Sequence, residues 1–151
     1  MGSFKEKANS RSEDLLPGAE PLLIHGSQTG LLFLQGFTAS PFEGKALLQF
    51  LHQKLGITVS APLLPGHGTR PEDMLAVGWR EWLDFTISEY SKLKEICQQV
   101  FICGQSMGGT LTLRLAAEYP VSGIITLAGA VFLKDWRLFF LPLARHLLTW
   151  Q

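Results

Sequence analysis

The spacing of apolar positions along this chain changes several times, and each change marks an element. Gly30-Leu-Leu-Phe-Leu-Gln-Gly36 is an apolar run closed by a glycine, the pattern of a buried strand. Ser40, Pro41 and Glu43 stand at the N-cap, N1 and N3 spacing of a capping box and predict a helix start. Leu47, Phe50, Leu51 and Leu55 give that helix one apolar face, and Gly56 fits its C-cap. Ile57–Ser60 reads as a short strand, and Pro21–Ile24 as an early strand near a turn. Trp79, Leu83, Thr86, Tyr90, Leu93 and Cys97 share one helical face, predicting a helix over about 79–97 packed on a sheet. Val100-Phe-Ile-Cys103 reads as a buried strand, Thr110–Tyr119 as a helix and Gly123–Ala128 as a further buried strand. The sum is an α/β alternation, with a mostly parallel sheet of about five strands flanked by helices.

The two ends differ from the middle. The first twenty residues are polar, carrying Lys5, Glu6, Lys7, Arg11, Glu13 and Asp14, and lack the apolar core of a secretory signal. Residues 1–19 therefore read as a disordered lead-in, and a cytoplasmic location is expected. Trp136–Trp150 is rich in Leu, Phe and Trp, with Pro142 interrupting it. No stretch approaches the length of a membrane-spanning helix, so no transmembrane segment is expected.

Composition adds limits. Hydrophobic residues make up 46% and charged residues 17% of 151 residues, which calls for a substantial core in one domain. Thirteen basic and thirteen acidic residues balance, leaving no electrostatic case for nucleic acid. Cys97 and Cys103 read as buried small hydrophobes. No phosphate-binding glycine loop and no metal-ligand cluster stands in the sequence, so neither cofactor nor metal is expected.

The chemistry is concentrated at Gly104-Gln-Ser-Met-Gly108, the G-x-S-x-G spacing between a strand and a helix. A serine hydroxyl is a weak nucleophile at neutral pH and needs a base to take its proton. A sharp turn at the top of a sheet exposes Ser106 to substrate and base. Only small residues fit beside such a turn, and Gly104 and Gly108 meet that need, while Gly109 gives the helix room against neighbouring strands. The helix N-terminus aims free N–H groups at the site, suited to an oxygen that becomes negative during acyl transfer. The Met107 N–H is one candidate oxyanion donor. The Phe37 N–H, from the loop Gln35–Ala39 at the carboxyl end of a strand, is the second.

Ala61-Pro-Leu-Leu-Pro-Gly-His-Gly-Thr-Arg-Pro-Glu-Asp73 reads as a rigid loop. His67, between two glycines, is weighed as a structural residue with a ring nitrogen tied to a backbone carbonyl, ahead of a general base. Glu72 and Asp73 read as the polar opening of the next helix. His52 is placed on the polar side of its helix, His25 near a turn and His146 in the terminal apolar segment.

Four segments together resemble the α/β-hydrolase superfamily, in its carboxylesterase and monoacylglycerol lipase-like (serine aminopeptidase S33-like) branch. They are Leu-Leu-Phe-Leu-Gln-Gly-Phe-Thr-Ala-Ser-Pro at 31–41, Ala-Pro-Leu-Leu-Pro-Gly-His-Gly-Thr at 61–69, Gly-Trp-Arg-Glu-Trp at 78–82 and Gly-Gln-Ser-Met-Gly-Gly at 104–109. The resemblance implies Ser106 as nucleophile, Phe37 and Met107 as the oxyanion hole, and hydrolysis of a small-molecule ester or monoacylglycerol through an acyl-enzyme. It implies that 20–135 is the N-terminal part of the hydrolase core and that 136–151 starts a lid or cap segment, cut short.

Two departures accompany it. Gln35 stands where the family usually has a loop-supporting histidine, and no position matches the triad Asp or His, which follow later strands in the family. Three readings stay open: an esterase whose acid and base lie elsewhere, a catalytically inactive binding protein, and a fragment without independent activity. An uncovered Gly123–Ala128 edge and the apolar end predict self-association through exposed apolar surface.

Overall fold

The computed structural model describes residues 15–131. Five strands form one sheet in the order β1-β3-β2-β4-β5, with β1 at Leu22–Ile24, β2 at Ser27–Leu34, β3 at Ile57–Ala61, β4 at Gln99–Gln105 and β5 at Gly123–Leu127. All pairs are parallel except β1 with β3. The helices are α1 at Phe42–Leu55, α2 at Trp79–Ile96 and α3 at Met107–Ala116, with a 3-10 turn at Pro71–Ala76. The expected alternation is present, and the strand before the elbow runs two residues further, to Gln105.

Strand periodicity sorts the core into two layers. Leu32 and Leu34 of β2 join Val100 and Ile102 of β4 under Leu83, Tyr90 and Leu93 of α2 and Leu111 and Leu115 of α3. On the opposite face, Leu31 and Phe33 join Val59, Ala61 and Cys103 against Leu48 of α1. A strand covered on both sides must be apolar at odd and even positions alike, which is why β2 reads as a continuous run. Cys97 and Cys103 are free and buried, and burial pushes the Cys103 thiol up from its ordinary pKa.

The packed face of α1 differs from the one expected. Leu47, Phe50 and Leu55 are exposed, and the buried positions are Gly44 and Leu48, with Leu51 half-buried. The cause is contact distance. A Cβ at Gly44 would stand 2.6 Å from the Phe33 ring, so α1 meets the sheet along its glycine and turns its larger residues outward. Similarly, α2 buries Trp82 with Leu83, Thr86, Tyr90 and Leu93, while Trp79 is exposed. The C-cap at Gly56 is as expected, with φ 64° and its N–H donating to His52 O. His52 is not on a solvated side; its Nδ1 lies 2.8 Å from Ile57 O and ties the helix end to β3.

Of residues 1–19, 15–19 are described and sit against the loop after β3. The Leu16 N–H donates to Gly68 O at 2.8 Å, and Ala19 is buried. The segment 136–151, with His146, lies outside the described residues. At the other edge, β5 pairs with β4 alone among the described residues, and Ile124, Ile125 and Leu127 are exposed. No described helix is long and apolar enough to cross a membrane.

The Gly44 contact yields a test. Gly→Ala in an exposed helix stabilises by up to about 1 kcal/mol, whereas overpacking a core costs about 1–3 kcal/mol. Gly44→Ala is therefore expected to lower the urea midpoint, and a raised midpoint would show that Phe33 yields freely.

Candidate active site

The sheet order places the site. The chain leaves β2 towards β3 on one side and reaches β4 on the other, so the loops after β2 and β4 open side by side at the carboxyl ends of adjacent parallel strands. Such a reversal of strand order is where open α/β sheets form a crevice. Leu34 is paired with Gly104, which brings the Gly36–Ala39 turn next to Ser106. A Cβ on Gly36 would lie 3.5 Å from Ser106 Cβ.

Ser106 connects β4 directly to α3. Its backbone stands at φ 50°, ψ −114°, a conformation L-residues rarely adopt. The neighbours explain how it is held. A Cβ at Gly104 would be 2.1 Å from Gly108 O, and one at Gly108 would be 2.2 Å from Leu34 O. Gly109 lies against Gly129, where a Cβ would meet its Cα at 2.9 Å. The Ser106 N–H donates to Leu127 O at 2.8 Å, so the end of β5 also fixes the turn. Ser106 is exposed, and its hydroxyl has no hydrogen-bond partner among the described residues.

Of the two residues expected to supply N–H donors, Met107 follows Ser106 and Phe37 follows Gly36, the glycine beside it. Met107 is the first residue of α3, where a helix leaves its N–H groups without intrahelical acceptors. Phe37 belongs to a turn closed by the Ala39 N–H donating to Gly36 O at 3.3 Å, and no acceptor faces its own N–H among the described residues. Thr38, the next residue, is held at φ 63°, an unusual conformation for a β-branched side chain.

Gln35, at the place of the family's usual histidine, is wholly buried and its Nε2 donates to Ala39 O at 3.0 Å. It supports the turn from within, while its Oε1 has no partner among the described residues. The expected capping box at the start of α1 is not made: the N-cap is Pro41, one residue later than expected, and it has no side chain to cap with. Ser40 Oγ accepts from the Phe42 N–H at 3.3 Å, but Glu43 turns away and its Oε2 accepts from Gln105 Nε2 at 3.1 Å. Glu43 thus links α1 to the residue before Ser106, a link between positions 62 apart that no local pattern signals.

His67 is buried, with Nδ1 3.1 Å from Pro65 O. The carbonyl can only accept, so Nδ1 carries the proton. Burial lowers the pKa of His67 against the opposing pull of backbone hydrogen bonds at Pro65 and Leu64. The ring packs on Phe37 and Trp82. In the sequence Trp82 stood out only as the end of the segment 78–82; its contact with the loop after β2 is a tertiary fact. A cleft of about 360 Å³ bordered by Thr38, Ser40, His67 and Arg70 does not reach Ser106. His25 is exposed on the turn after β1.

Glu72 and Asp73 open the 3-10 turn rather than a longer helix. Asp73 Oδ2 accepts from the Thr69 hydroxyl at 2.6 Å and the Arg70 N–H at 3.4 Å. These bonds, the Thr69 hydroxyl first, hold its carboxyl below the usual aspartate range. Among the described residues no group of three His, Cys, Asp or Glu is placed to hold a metal ion.

Comparison with known proteins agrees with this fold. A model described as the alpha/beta hydrolase family matches residues 22–151. A thermostable monoacylglycerol lipase from Bacillus sp. (strain H-257) is 40% identical over 123 residues, covering 81% of this chain and 49% of that protein. A carboxylesterase from Bacillus subtilis (strain 168) is 30% identical over 117 residues, covering 77% of this chain and 47% of that one. Among solved structures, one from work on the metagenome-derived lipolytic enzymes LipS and LipT superposes with a TM-score of 0.78 at 37% identity, covering 83% of this chain and 52% of that one. The chain spans about half the length of the relatives it matches.

The depressed Asp73 carboxyl stabilises the 69–73 turn above its unfolded pKa, and that contribution is lost as pH falls through the lower folded value. The Arg70 amide resonance should therefore titrate with a midpoint below that of an unperturbed aspartate. Asp73→Asn should abolish the titration; its persistence would assign it to another group.

Proposed function

The chain belongs to the alpha/beta hydrolase family, and from that premise we propose that it carries the nucleophile of a serine hydrolase of carboxylic esters. Ester and monoacylglycerol substrates are the class that the named relatives suggest. The observation that carries the reading is the Ser106 turn: an exposed serine on a strained backbone, between two crowded glycines, beside a loop whose Phe37 N–H has no acceptor among the described residues.

In the proposed reaction, Ser106 Oγ attacks the ester carbonyl carbon, and a base takes its proton. Charge gathers on the former carbonyl oxygen, where the Met107 and Phe37 N–H groups stabilise it; each such donor supports roughly a hundredfold to a thousandfold of rate. Collapse expels the alcohol, which takes a proton as it leaves, and an acyl ester remains on Ser106. Water then attacks this ester by the same route and releases the acid. The acid and base of the triad are assigned outside residues 15–131, because no histidine contacts the Ser106 hydroxyl among the described residues. The exposed edge of β5 is proposed as a surface for association with further polypeptide.

A fluorophosphonate probe tests this directly. Labelling at Ser106, abolished by Ser106→Ala, is the expected result. A folded protein that stays unlabelled would favour an inactive binding protein or a fragment without independent activity.

A further inference from the structure

Three aromatic rings meet beside the turn after β2, each pair edge to face. The Phe37 and His67 centroids are 6.4 Å apart at 85°, those of Phe37 and Trp82 are 6.0 Å apart at 71°, and those of His67 and Trp82 are 5.5 Å apart at 70°. One carbonyl anchors two of them: Pro65 O accepts from His67 Nδ1 at 3.1 Å and from Trp82 Nε1 at 2.9 Å. His67 and Trp82 are buried, whereas Phe37 is 58% exposed. Burial therefore gives the Phe37 ring little hold, and the two anchored ring edges supply it. The turn needs that hold, because Thr38 at φ 63° stores backbone strain that surrounding contacts must offset. Gln35 braces the turn from inside through Ala39 O, so the ring clamp is the outer of two supports.

We propose that His67 and Trp82 are positioning residues for the turn at Gly36–Ala39, acting through the Phe37 ring to aim the Phe37 N–H at the oxygen that becomes negative. The catalytic meaning rests on the ester-hydrolase reading; the clamp itself rests on the ring contacts. His67 here moves no proton. Its Nδ1–H is committed to Pro65 O, and its Nε2 is buried without a partner among the described residues, so the ring is a neutral wedge. The two segments at 61–69 and 78–82 thereby share one task, though neither touches Ser106.

His67→Leu removes the anchored ring while keeping an apolar side chain of similar bulk. Two readouts on the intact chain separate the claims. The first is the amide NMR spectrum. His67→Leu should shift the Phe37 and Thr38 amides while the β4 amides hold; unmoved loop amides in a folded variant would overturn the clamp, whether or not the protein is an enzyme. The second is the rate of Ser106 phosphonylation, expected to fall about tenfold, less than complete loss of an oxyanion donor. In a Phe37→Leu background the same change should cost under about twofold more, since no ring remains to be aimed. Moved amides with an unchanged rate would overturn the positioning role. Should the parent chain not react, the ester-hydrolase reading fails and the amide spectrum alone judges the clamp. Should His67→Leu fail to fold, Trp82→Phe, which removes only the Nε1–H bond and part of the ring, takes its place with the same loop amides expected to move.

Discussion

The backbone at Gly108, two residues after Ser106, lies so close to the end of β2 that no side chain fits between them, and the rest of the site depends on this contact. A Cβ at Gly108 would stand 2.2 Å from Leu34 O, and one at Gly104 would stand 2.1 Å from Gly108 O. Both glycines therefore permit α3 to begin directly against two strands. That start leaves Ser106 at the only point between β4 and α3 where the chain can reverse, in a conformation that costs roughly 1–3 kcal/mol and is held by the surrounding packing. The Ser106 N–H to Leu127 O bond adds the neighbouring strand to that support.

The second loop is held differently. Its turn is braced by the buried Gln35 amide and by aromatic edges, neither of which contacts Ser106 through a side chain. Glutamine in place of the family's usual histidine leaves the loop fastened, since its Nε2 reaches the carbonyl of Ala39. Glu43 then joins α1 to Gln105, so the two loops are connected on a third side. Two loops supported by separate parts of the fold can keep a fixed separation when either is pressed by a ligand.

The hydrophobic layers distribute their cover unevenly. The central strands β2 and β4 are sealed under α1 on one face and under α2 and α3 on the other. By contrast, β5 leaves Ile124, Ile125 and Leu127 exposed, and α1 leaves Leu47 and Phe50 exposed. The site sits between the sealed centre and this open flank, at the ends of β2 and β4.

Strand and helix identity were legible in the sequence because local steric and hydrophobic periodicity decides them. The turn at Ser106, the cap at Gly56 and the buried thiols at Cys97 and Cys103 could be read one residue at a time. The faces of the helices could not. Leu47 and Phe50 have the hydropathy of core residues, but Gly44 sets how near α1 lies to Phe33, and closeness of approach outweighs side-chain hydropathy in choosing the packed face. Spacing put Trp79 on the apolar face of α2, yet Trp82 is the buried one, with its Nε1 donating to Pro65 O. Likewise, nothing local to His67 says that it touches Phe37, thirty positions earlier. The sequence by itself determined which elements form and which serine is presented. Tertiary structure alone decided what supports that serine, because those contacts join residues far apart along the chain and depend on distances that local pattern does not encode.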